Sequence, residues 1–312
     1  MELFLLSLRV VLPLFINMAA GYTLKRIRML DDHTLTTMNN VVFRFFLPLL
    51  LFYNIYQTDL KTAFNLKLII YSLCSVFLLF LILCIVIPFI EKENHRRGVL
   101  IQGIFRSNFI LFGLPVAMSL FGEQNVGVTS VLIAVIVPLF NVLAVLSLEM
   151  FKGGKIDVKS VLRGIATNPL IIAAVLGILF LLLKIRIPIA LEKSIADLSR
   201  VATPLALVIL GGTFTFGSVK GYVKQLVLGI AGRLIIVPAI FLSLGALLGF
   251  RGVEFASLLA LFASPAAVSS FVMAQQMDGD SNLAGALVVI GSTCSIITVF
   301  FWVYLFMLLR II

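Results

Sequence analysis

Residues 98–122 read GVLIQGIFRSNFILFGLPVAMSLFG. The stretch is long enough to cross a bilayer, which takes about 20 mostly apolar residues. Yet it carries Arg106, Ser107, Asn108 and Gly113 in its middle, with Pro115 just beyond. Proline inside a helix removes a backbone hydrogen bond and clashes with the preceding turn. In lipid such a break is tolerated only where the freed groups face protein or a water-filled cavity. The segment therefore predicts a transmembrane helix broken at Pro115, with a polar middle that faces inward.

A second stretch of this kind, residues 253–276, holds Ser264, Pro265, Ser269, Ser270 and Gln275. Around the two, apolar runs predict spans over 3–24, 34–57, 68–90, 98–121 and 126–151, then 169–183, 188–213, 221–248, 253–276 and 283–309. The expected fold is an all-α membrane protein of ten transmembrane helices, a first repeat over 1–152 and a second over 169–312. The polar linker at 153–168 is too short for a domain, and Asn168-Pro169 makes a good helix start, an N-cap followed by proline at the first helical position.

The composition points the same way. Of 312 residues, 61% are hydrophobic and 12% charged, against roughly 45–50% and 25% in soluble domains; a water-soluble globule is excluded. The net charge of +10 reads as topology signals in the loops rather than as a nucleic-acid surface. Loops after odd-numbered spans hold twelve lysines and arginines and the opposite side holds nine. Cytoplasmic loops carry the excess, so both termini are expected outside the cytoplasmic membrane. The start, Met1-Glu2-Leu3, lacks the basic n-region of a signal peptide, and the first lysine, Lys25, follows the apolar run. Cys74, Cys84 and Cys294 lie in apolar runs without CxxC spacing and read as inert packing residues.

Five spans per half, an odd number, require that the halves insert upside down relative to each other, as an inverted repeat. Two short matches fit. FLPLLL at 46–51 parallels ATPLAL at 202–207, and GLPVA at 113–117 parallels ASPAA at 263–267, with offsets of 156 and 150 residues. Two broken helices, one from each half, would cross near the midplane. Their half-helix N-termini, positive dipole ends, would then form an anion site. At 1.5 Å per residue from Gly98, Asn108 lies about 15 Å deep in a core about 30 Å thick. Its amide can donate two hydrogen bonds to a carboxylate; the alternative is a packing or break-capping amide.

The run Arg106-Ser107-Asn108-Phe109-Ile110-Leu111-Phe112-Gly113-Leu114-Pro115, followed by Leu120-Phe121-Gly122, resembles the fourth-span signature of the auxin efflux carrier family of membrane transport proteins. In plant members an Asn stands seven residues before the Pro of Gly-Ile-Pro and contacts the auxin carboxylate; Asn108 stands in that relation to Pro115. The resemblance covers the whole chain, with a short central loop as in bacterial members, so the phosphorylation control of long-loop plant members is not implied. It implies a bile-acid symporter-like fold in which spans 1, 2, 6 and 7 form a scaffold and spans 3–5 and 8–10 a mobile transport domain. A homodimer through the scaffold is implied by the same analogy. Sodium held at the crossing, as in the bile-acid relatives, would leave almost no sequence trace, so coupling stays open between sodium, uniport and exchange. No other cofactor is expected.

An ionisable residue inside a span is a functional candidate by default. Arg44, Arg106 and Arg233 lie well inside spans, whereas Glu149 and Glu254 lie near span ends. A positive interior favours an anionic substrate and disfavours a proton relay of buried carboxylates. The structural alternative for each Arg is snorkelling, or bonding backbone carbonyls at a helix break. Asn141, after Pro138, is a further substrate-site candidate, since a kink there turns its amide toward the crossing. Asn17, Gln102 and the Gly211-Gly212 pair are weaker candidates, with interhelical bonding and close packing as the alternative.

Other signals fail. Residues 278–282, DGDSN, open like a calcium loop, but Leu283 and Val289 stand where Gly and Glu are required. No Walker, HExxH or GxSxG motif is present, which excludes ATP hydrolysis by this chain and disfavours an intramembrane hydrolase. The expectation is a secondary active or facilitative carrier of a small organic anion, an auxin-like carboxylate or a dicarboxylate, with substrate residues Arg106, Asn108, Gly113, Pro115, Asn141, Ser264 and Pro265. A membrane receptor on the same fold and a sodium-coupled bile-acid-type symporter are the alternatives.

Overall fold

The computed structural model describes residues 2–57, 65–110, 117, 120, 121, 127–152, 163, 166–214 and 218–312, the side chains of 2–11, 218 and 220 excepted. The described secondary structure is helical apart from one isolated β-bridge. Helix α1 spans Glu2–Arg26, α2 Asp32–Tyr56, α3 Leu66–Ile90, α4 Asn94–Phe105 and α5 Gly127–Phe151. The second half holds α6 Pro169–Leu182, α7 Ile189–Thr213, α8 Val223–Leu247, α9 Gly252–Ala263, α10 Ser269–Gln276 and α11 Ser281–Leu308. Among the described residues, six helices (α2, α3, α5, α7, α8 and α11) are long and apolar enough to cross a membrane.

Four helices, α2, α3, α6 and α11, start at short polar side chains that satisfy first-turn N–H groups. Asp31, Asn65, Asn168 and Asp280 accept from the N–H of Thr34, Leu68, Leu170 and Leu283. The outer faces stay apolar: Phe77, Ile85 and Phe89 on α3 are exposed, as suits a helix whose solvent on that side is lipid.

Helices α1, α2, α6 and α7 pack on one another, and α3, α4 and α5 pack with α8 to α11. The two groups also meet where α11 runs along α1. Within the first group, glycine sets the spacing. A Cβ on Gly211 would lie 1.9 Å from the Met18 carbonyl oxygen, and one on Gly21 would lie 1.9 Å from that of Val208. Backbone therefore touches backbone between α1 and α7, and the packing alternative for Gly211 is the one realised.

Helix α8 is interrupted by a π-helical segment, Gly232–Ile236, before Pro238. Pro238 has no N–H for the Leu234 carbonyl four residues back. Trp302 on α11 supplies one instead, its Nε1 lying 2.9 Å from that oxygen. The widened turn carries the buried Arg233.

The second expected break is where Pro265 places it, between the end of α9 and the start of α10. The first differs from expectation. Helix α4 stops at Phe105, and the chain is extended at Arg106, well ahead of Pro115. Gly113 and Pro115 lie outside the described residues, as does most of the linker at 153–168.

Candidate functional site

A helix that ends inside a membrane leaves its last carbonyls without partners. At the two breaks one side chain supplies them. Arg233 Nε donates to the Ser264 carbonyl at 2.8 Å and its Nη2 to the Leu261 carbonyl at 2.7 Å. Its Nη1 lies 3.2 Å from the carbonyls of both Ile104 and Phe105. Leu261 stands four residues before Pro265, so its oxygen is the one that proline orphans. One cation thus closes the C-terminal ends of α4 and α9, where the helix dipole favours positive charge.

With both ends closed, the extended segments meet. Ser107 and Ala266 form an antiparallel bridge, and the Asn108 N–H donates to the Pro265 carbonyl at 2.7 Å. Ser264 Oγ folds back onto the Ala260 carbonyl, so Ser264 and Pro265 build the crossing and do not line the space beside it.

That space is a cavity of about 100 Å³. One side is polar, with Arg106, Ser107 and Asn108 from the first break and Ser269 from the start of α10. Arg106 is 4% exposed and Asn108 5%. The Arg106 Nη2 donates to Asn141 Oδ1 at 2.7 Å and to Ser269 Oγ at 2.8 Å, and its Nη1 meets the sulfur of Met273. Asn141 Nδ2 in turn donates to the Val137 carbonyl at 2.8 Å, which leaves the amide oxygen for Arg106. Every one of these partners is neutral. Among the described residues no carboxylate lies within ion-pairing distance of Arg106 or Arg233.

Two buried side-chain donors that line this site, Ser107 Oγ and Asn108 Nδ2, lack acceptors among the described residues. The first turn of α10, beside the cavity that Val268 and Ser269 line, is closed by its own backbone: the Ser270 N–H donates to the Ala267 carbonyl at 2.9 Å and the Phe271 N–H to the Val268 carbonyl at 3.1 Å. Most of the remaining lining is apolar, including Leu47 and Leu50 from α2, Val137 and Phe140 from α5, and Ala206 from α7, with Thr203 as the polar exception.

The structure therefore brings Arg106 and Asn108 to one space, sets Asn141 outside its lining as an acceptor for Arg106, and builds Ser264 and Pro265 into the crossing. Gly113 and Pro115 cannot be placed, being outside the described residues. Arg44 is exposed on α2, away from the cavity. Arg233 takes the backbone-carbonyl role that a helix break allows. Gln102 Nε2 donates to the Ser270 carbonyl at 3.2 Å, an interhelical bond one turn from the cavity. Asn17 is half-buried on α1 and outside the cavity. Thr203 and Met273 were not legible as site residues. Thr203 carried only a repeat match, and Met273 sits among apolar neighbours with no pattern to mark it.

Residues 6–303 match the family described as membrane transport protein. An uncharacterized transporter of Methanocaldococcus jannaschii is 25% identical over 308 residues, spanning 96% of this chain and 98% of its own. An uncharacterized transporter of Methanothermobacter thermautotrophicus is 25% identical over 314 residues, with the same two coverages.

Proposed function

Because this chain belongs to the membrane transport protein family, that of the auxin efflux carriers, we propose that it is a secondary carrier of small organic anions across the cytoplasmic membrane. The observation that carries the reading is Arg106: a guanidinium buried beside a cavity, bonded to neutral groups, with no carboxylate within ion-pairing distance among the described residues. A buried charge without a counter-charge is costly. A carboxylate entering the cavity supplies that counter-charge and gives Asn108 Nδ2 and Ser107 Oγ an acceptor.

Transport follows if the space is reached from each side in turn. The reading assigns α1, α2, α6 and α7 to a scaffold and α3 to α5 with α8 to α11 to a moving body that carries the crossing. Ten spans in two inverted halves would bring two breaks together antiparallel, and the Ser107–Ala266 bridge has that sense. The loop charges put both termini outside. A cavity of about 100 Å³ favours a small acid over a bile acid as cargo.

The test is uptake of short carboxylates into proteoliposomes by the wild type and by Asn108→Ala. A hydrogen bond to a charged group contributes about 1.5–3 kcal/mol, so the variant should need at least about tenfold more substrate for half-saturation. Equal transport by both removes Asn108 from the mechanism. Saturable binding without flux by the wild type favours a receptor.

A further inference from the structure

We infer that the cargo is a singly charged carboxylate with a compact apolar body, and that dicarboxylates are excluded. This rests on the anion-carrier reading and specifies the substrate of that same site. Three arginines lie well inside the spans, Arg44, Arg106 and Arg233. Arg44 is exposed on α2 and does not line the cavity. Arg233 spends its guanidinium on four backbone carbonyls at the crossing. Among the described residues Arg106 alone is a cation lining the cavity, and residues 111–116, 118–119 and 122–126, which lie outside the described residues, contain no lysine, arginine or histidine.

A second carboxylate would have to sit against the apolar part of the lining. Among the described residues of α2, α5 and α7 that part is Leu47, Leu50, Val137, Phe140 and Ala206, with the neutral hydroxyl of Thr203 as its one polar side chain. Burying an ionised group there without a partner costs several kcal/mol or forces it to take up a proton. The same apolar lining stabilises a hydrocarbon body by about 0.8 kcal/mol per buried methylene. One buried water needs at least about 10–15 Å³ of such space, so a cavity of about 100 Å³ has room for several groups of that size. A short-chain monocarboxylate such as butyrate fits both the space and its two-sided chemistry: head toward Arg106, Asn108 and Ser269, tail toward α2, α5 and α7.

The experiment measures binding to the full-length purified protein by ligand-dependent thermal shift, and flux by counterflow in proteoliposomes. The probes are butyrate, butyramide, malonate and succinate at neutral pH. Butyrate should half-saturate at a concentration at least tenfold below malonate or succinate, with butyramide inert. Succinate should gain on butyrate as the pH falls and its hydrogen-succinate monoanion accumulates. Thr203→Lys, which places a cation on the α7 side of the cavity, should raise the preference for succinate over butyrate at least tenfold. Malonate or succinate binding as well as butyrate at neutral pH overturns the single-charge inference and leaves an anion carrier standing. If no carboxylate binds or moves, or if butyramide matches butyrate, the anion-carrier reading falls with it. The wild-type series decides the matter even if Thr203→Lys fails to fold.

Discussion

The main-chain N–H of Asn108 donates to the carbonyl of Pro265 at 2.7 Å, so two interrupted helices from opposite halves of the chain are tied backbone to backbone. The ring of Pro265 leaves it no N–H of its own, and its carbonyl lies beyond the end of α9. That oxygen is free to pair with the other break. The position of the Asn108 side chain is therefore set by a bond that any residue at 108 could make, and the amide itself is left for a ligand.

The clamp on this crossing is Arg233. Arg233→Lys keeps the charge but replaces a planar fork by a compact head with three donors, which cannot reach carbonyls on both α4 and α9. Each orphaned buried acceptor costs about 1–3 kcal/mol. Thermal unfolding in detergent should show the variant melting several degrees below wild type, and carboxylates should restore little of the loss because the site itself is disordered. A variant with wild-type melting and anion response would show that the crossing holds without the clamp.

Gly21 and Gly211 bring α1 and α7 into backbone contact. Gly211→Ala places a methyl where the Met18 carbonyl now lies, and overpacking of this kind costs about 1–3 kcal/mol. Because both residues belong to the helix group away from the polar side of the cavity, the expected result is a lower melting temperature with substrate affinity retained. Reduced affinity at unchanged stability would contradict that separation.

Asn39 on α2 donates to the Val272 carbonyl on α10 at 3.4 Å, and Asn168 at the start of α6 meets the Met277 sulfur at 4.0 Å. Both contacts join the proposed scaffold to the proposed moving body along α10, beyond its cavity end. Asn39→Ala removes the first. With Cys74, Cys84 and Cys294 replaced, a cysteine introduced by Ser270→Cys should then react severalfold faster with a water-soluble maleimide. Unchanged labelling would mean that α2 and α10 do not part there.

Glu91, just past the end of α3, accepts from Gln225 Nε2 at 2.6 Å and from the Glu93 N–H at 2.9 Å. Burial pushes its carboxyl up, but the Glu93 N–H, the Gln225 amide and the nearby Arg96 outweigh that and hold it below the usual carboxylate range. A depressed folded value means that the stabilisation is complete above the unfolded value, about 4.3, and fades as pH falls through the folded one. Glu91→Gln should therefore melt below wild type at pH 7, and the gap should close as the pH is taken below about 4. A gap independent of pH would assign the effect to packing.

The all-helical architecture was legible because apolar runs of span length are a one-dimensional signal, and the Pro265 break was legible because proline carries its own steric consequence. The break at Arg106 was not. No proline or glycine marks it, and what makes it tolerable is a guanidinium more than a hundred residues away on α8. Charge counting singled out Arg106 and Arg233 alike, yet only coordinates separate the one that faces a cavity from the one that caps helices. Asn141 was within reach of sequence, since Pro138 and a lone amide in an apolar helix are both visible. Met273 was not, because a methionine among apolar neighbours is indistinguishable from packing.

The chain has one tryptophan, and its indole N–H rests on the carbonyl that Pro238 leaves free, one residue from Arg233. All of the intrinsic tryptophan fluorescence of this protein therefore originates beside the clamp of the crossing. A shift in emission on adding ligand reports on that one joint between α8 and α11, so the molecule carries its own optical probe at the place where the two halves are pinned.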